Sequence, residues 1–107
     1  MNNKSWESTR LELHEKLCKM LGTRNVYFQP PPSVKLHYPA IVYSLSNIRH
    51  NRADNISYLH SNVYSVIVVD QDPDSCIASK LSKMDYCSFD RFYASDGLNH
   101  FVFTLYF

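Results

Sequence analysis

A chain of 107 residues with a formal net charge of +1 has material for one core and lacks the basic excess common in nucleic-acid binders. Apolar residues make up 45% of it, and an aromatic share of 14%, with eight Tyr and six Phe, points to a sheet-rich or assembling protein. The three cysteines, Cys18, Cys76 and Cys87, are odd in number and form no C-x-x-C pair, which argues against a disulfide scaffold, and no apolar run reaches the roughly 20 residues needed to span a bilayer.

The polar start "MNNKSWESTR" lacks the apolar core of a signal peptide, so the expectation is a protein made and used without crossing a membrane. A helix follows, from about Ser5 to Leu21. Trp6, Leu13, Leu17, Met20 and Leu21 form its apolar stripe, with Glu7, Glu12, Glu15, Lys16 and Lys19 on the other side. Ser5 suits the N-cap and Gly22 the left-handed residue that closes the helix. "NVYFQ" reads as a short strand, ended by Pro30, Pro31 and Pro32, which have no backbone donor for a ladder. After Pro39, "AIVYSLS" alternates as a second strand. Residues 47–61 lose the period and read as a long projecting loop, a feature more often functional than idle.

"NVYSVIVVD" is apolar on both faces, as a central or doubly covered strand should be. "DPDS" then signals a helix capped by Asp72, with Pro73 in its first position and Ile77, Leu81 and Met84 facing inward. Two strands close the chain, about 86–93 and 100–107, around "ASDGLN", a hairpin loop longer than the two-residue minimum. The order α-β-β-β-α-β-β predicts a single α+β domain over residues 1–107. It is a mainly antiparallel sheet of four to five strands with two helices packed on one face.

The chemical motifs are near misses. "HEKLC" sets His14 and Cys18 at the spacing of a zinc helix, but no third ligand is marked, and an ordinary boundary His and core Cys explain it better. Asp70, Asp72 and Asp74 open like a calcium loop, yet Ser75 and Leu81 stand where its Gly and Glu belong. Two glycines, Gly22 and Gly97, cannot make a phosphate loop, and no nucleophile elbow occurs. The residues therefore predict no enzyme, no metal and no cofactor. Two surface features remain. The loop residues Arg49, His50, Asn51 and Arg52, with Tyr58, form a small basic cluster, either simply solvated or lining an opening that faces DNA. Phe89, Asp90, Arg91 and Tyr93, joined by Tyr106, form a candidate interface strip, with a half-wet strand as the plainer reading.

Three stretches, "RNVYFQPPPSVKLHYPAIVYSLS", "VVDQDPDSCIASKL" and "YCSFDRFYASDGLNHFVFTLYF", resemble a family of small tail-completion, tail-terminator or neck proteins of long-tailed bacteriophages and prophages. The resemblance implies an α+β fold and a homo-oligomeric ring, a hexamer, at the head-proximal end of the tail. It implies the tail tube protein and head-tail connector or adaptor proteins as partners. Genomic DNA would pass through the lumen without sequence-specific binding, and the protein would reside in the virion after synthesis in the host cytoplasm. It implies no catalytic residue and no cofactor. The alternatives are a head-completion or adaptor protein on the portal side, and a small monomeric binding protein of unrelated role. The final "NHFVFTLYF" places Phe101, Phe103, Leu105 and Phe107 on one strand face and Val102, Thr104 and Tyr106 on the other. A strand so apolar on both faces is expected inside the sheet or under a neighbouring subunit.

Overall fold

A computed structural model describes residues 6–48 and 62–107. The element order is α1 (Trp6–Leu21), β1 (Val26–Phe28), β2 (Ala40–Ile48), β3 (Asn62–Asp70), α2 (Cys76–Ser82), β4 (Cys87–Ser95) and β5 (Leu98–Tyr106). The strands form one five-stranded sheet in the order β1-β2-β3-β5-β4. Every neighbouring pair is antiparallel except β1 and β2, which are parallel. The fold is thus the α+β architecture expected from the pattern of elements.

Leu13, Leu17 and Leu21 recur every four residues along α1 and are buried with Cys18. Gly22 ends the helix as anticipated: its φ is +86°, and its N–H donates to the Cys18 carbonyl at 2.8 Å. α2 adds Ile77, Ala78 and Leu81 to the same cluster. Both helices pack on one face of the sheet, where they meet Val26, Ile41, Tyr43, Tyr64, Val66, Val68, Phe103 and Leu105. Register shows why these residues share a face: Ile41 lies opposite Val68, Tyr43 opposite Val66, Val66 opposite Phe103 and Tyr64 opposite Leu105. Each fully buried Leu or Phe here contributes roughly 1.5–3 kcal/mol of transfer free energy. β3 is the middle strand, and Val63 and Val69 on its second face are buried too.

Four details depart from the sequence expectations. The proline-rich connector joins two parallel strands, so the chain crosses back between them before β2 starts. α2 begins at Cys76 with Ser75 as its cap, its hydroxyl accepting from the Ala78 N–H at 3.3 Å. Asp72 and Asp70 instead make side-chain turns, accepting from the N–H groups of Asp74 and Asp72 at 2.9 and 3.0 Å. The closing hairpin has a two-residue loop, Asp96 and Gly97, with φ of 54° and 74°. Positive φ at both positions matches the right-handed twist of the strands and permits the short loop. β2 continues to Ile48, two residues into the stretch read as loop, past an irregularity between Leu45 and Asn47.

Candidate functional site

β5, the closing strand, lies inside the sheet between β3 and β4. That position explains how a strand apolar on both faces is accommodated. β4 is then left at the edge. It is nine residues long, and its residues Ser88 to Ser95 are all exposed. The opposite edge, β1, has three residues. Short edges are the usual protection against unwanted pairing, and β4 lacks it.

A bulge at Asp90 decides what β4 presents. Phe89 lies opposite Phe103, but Arg91 lies opposite Val102, so Asp90 is the extra residue. Strict alternation would send Phe89 and Phe92 to opposite faces. The bulge returns Phe92 to the helix-bearing face, where it meets Phe101 at 5.1 Å between ring centroids, while Phe89 meets Phe103 at 5.5 Å. The inner ring of each pair is more buried than the outer. Phe89 is 56% exposed and Phe92 48%. On the opposite face Arg91 sits 5.9 Å from the Tyr93 ring, and Tyr93 stacks on His100 at 4.5 Å. Among the described residues neither Asp90 nor Arg91 enters a salt bridge.

The structure therefore gathers Phe89, Asp90, Arg91 and Tyr93 on one edge and divides them between two faces. Tyr106 stands apart. It lies on β5 opposite Val63, four residues from Val102, or roughly 13 Å along the strand. Phe92, which sequence reasoning left out, belongs to the strip. Its only signal was its aromatic neighbours, because the bulge that re-aims it leaves no mark in the residue types. Arg49, His50, Asn51, Arg52 and Tyr58 lie outside the described residues.

The other candidates have structural roles. His14 Nδ1 is 2.8 Å from the Tyr43 hydroxyl, and burial, then the charge of Arg10, holds its pKa below the usual histidine value. Burial raises the Cys18 thiol, and it pushes Cys87 up to about 11, so neither is a ready nucleophile near neutral pH. No group of three metal-capable side chains gathers among the described residues. A cleft of about 390 Å³ between Lys16, Lys83, Asp85, Tyr86 and Phe107 contains no histidine or cysteine in its lining. No helix among the described residues is long and apolar enough to cross a membrane. No protein-family model matches the chain, and no characterised protein or solved structure shows significant similarity to it.

Proposed function

We propose that this chain is a structural assembly protein: a tail-terminator or tail-completion subunit of a long-tailed phage. It forms a homo-oligomeric ring, a hexamer, at the head-proximal end of the tail tube and joins the tube to the head connector. DNA passes through the lumen. The role is geometric, since contacts repeated around a closed ring turn many weak interactions into a firm joint. Catalysis plays no part in it, and no metal or cofactor is needed.

One observation carries the assembly reading. Three large aromatic side chains that the core leaves exposed, Phe89, Phe92 and Tyr93, lie together on the edge strand β4, and Tyr86, also open, stands in the turn just before it. Aromatics with an arginine are the composition of a protein contact rather than of a reaction centre. The phage setting rests on the three sequence stretches alone, and the α+β architecture agrees with what they imply.

Electron microscopy of particles lacking the protein tests the role. Over-long or unjoined tails are expected. Leaking heads without attached connectors would move the protein to the portal side. A chain that stays monomeric alone and beside tail tube protein would overturn the ring.

A further inference from the structure

We infer that the outer edge of β4 pairs with β4 of a second copy of this chain. The pairing is antiparallel about a two-fold axis, in the register that sets Asp90 of one copy opposite Arg91 of the other. The inference rests on the reading of β4 as an assembly surface and deepens it by naming the partner. It does not rest on the ring.

The residues around the axis are self-complementary. "SFDRFY" repeats its own chemistry in reverse, Ser-Phe-Asp against Tyr-Phe-Arg. In the stated register Asp90 meets Arg91 of the second copy twice, once on each side of the axis. Phe89 meets Phe92 of the second copy, again twice, and both rings lie on the helix-bearing face. Ser88 meets Tyr93 on the opposite face, and Cys87 meets Ala94 on the helix-bearing face. The three pairs flanking the axis, Phe89 with Phe92, Ser88 with Tyr93 and Cys87 with Ala94, agree in face. Without the bulge at Asp90 the two Phe positions would not agree.

The neighbouring registers fail. A slip of one residue in one direction puts Asp90 opposite Asp90 on the axis, and in the other direction Arg91 opposite Arg91. Each slip also sets helix-face residues opposite residues of the other face. Like charges directly opposite are destabilising, so the stated register is favoured over both of these. The pair continues the sheet from one copy into the next, with eight residues of each strand joined. That contact is smaller than a standard interface, so micromolar association is expected. A two-fold pair is a closed contact and is the state of the free chain. A ring that meets the tube on one face and the connector on the other has unlike faces and holds no such pair, so on assembly β4 would exchange its two-fold partner for another contact.

Sedimentation of the purified chain tests this, with charge exchange as the control. The wild-type chain is expected to dimerise. Asp90→Arg and Arg91→Asp each set like charges opposite twice, so each alone should associate roughly tenfold or more weakly. Mixed one to one, the two variants oppose two arginines with two aspartates and should recover a heterodimer. Both sites are exposed, so circular dichroism should show unchanged folding. Three results would overturn the pairing: a wild-type monomer at about 1 mM, single variants that dimerise undiminished, or a mixture no tighter than its components. In those cases the bulge and the Asp-Arg pair blunt the edge instead. If Phe89→Ser then still blocks particle completion, β4 meets a different protein and only the two-fold pairing is wrong. If that variant also completes particles, the assembly reading of β4 falls with it.

Discussion

Tyr43 carries a hydroxyl into the core. The residue is 1% exposed, its ring packs against those of Phe28 and Tyr64, and its phenol oxygen reaches His14 Nδ1. Arg10 sits 4.4 Å over the Phe28 ring, which brings its charge near the phenol. With its pKa held down, His14 stays a neutral imidazole whose Nδ1 can accept the phenol proton. Burial disfavours the charged imidazole, and Arg10 adds to the effect. The sign of the pH dependence follows. A histidine whose folded pKa lies below its unfolded value of 6.5 contributes full stability above that value and loses it as pH falls through the folded pKa. Urea unfolding should therefore show stability declining from pH 7 toward pH 5. His14→Gln should remove most of that slope. Glu15, lowered by its bond to Arg24, loses its contribution only below the ordinary carboxylate range, so the two windows separate. An unchanged slope in the His14 variant would assign it to other groups.

At the scale of elements, α2 gives the sharpest test, because its start was misplaced by sequence reasoning. Asp72, Pro73 and Asp74 carry the chemistry of a helix start, and the same residue types make side-chain turns. What separates the outcomes is tertiary. The helix begins where Ile77, Ala78 and Leu81 reach the core, and Ser75 stands three residues before Ala78 with its hydroxyl on that N–H. Ser75→Ala should cost about 1 kcal/mol in thermal or urea unfolding, and Asp72→Ala distinctly less. Equal losses would show that the turn is as important as the cap. The same distinction runs through the fold. α1 was legible because leucines at four-residue steps have no other use, and β3 because both its faces are apolar. The parallel pairing of β1 with β2 was not legible, since three residues ending in prolines do not state a direction. At the candidate site the strip of Phe89, Asp90, Arg91 and Tyr93 was readable from its aromatics. The return of Phe92 to the helix-bearing face was not, because a bulge arises from pairing with β5 and not from the residues of β4.

For the whole molecule the question is how the aromatic residues divide between holding the chain together and joining it to others. Phe103 and Phe89 lie opposite each other across β5 and β4, with their rings 5.5 Å apart, yet they belong to different economies of burial. Phe103 is 2% exposed and sits among Val66, Tyr64 and Leu105 in the core cluster. Its truncation leaves a cavity the sheet cannot close. Phe89 loses contact with one ring and gives up a surface already open to water. Phe103→Ala should therefore cost about 3–5 kcal/mol, whereas Phe89→Ala should cost about 1 kcal/mol or less. The order reverses for association. Phe89→Ala should fold with a nearly unchanged midpoint and lose self-association in sedimentation, because its ring is one of the four that meet across the proposed strand pair. A Phe103 variant stable enough to study should keep whatever association its folded fraction allows. If instead Phe89→Ala is as destabilising as Phe103→Ala, the ring is part of the core in solution, and the edge of β4 is a structural margin rather than a joining surface.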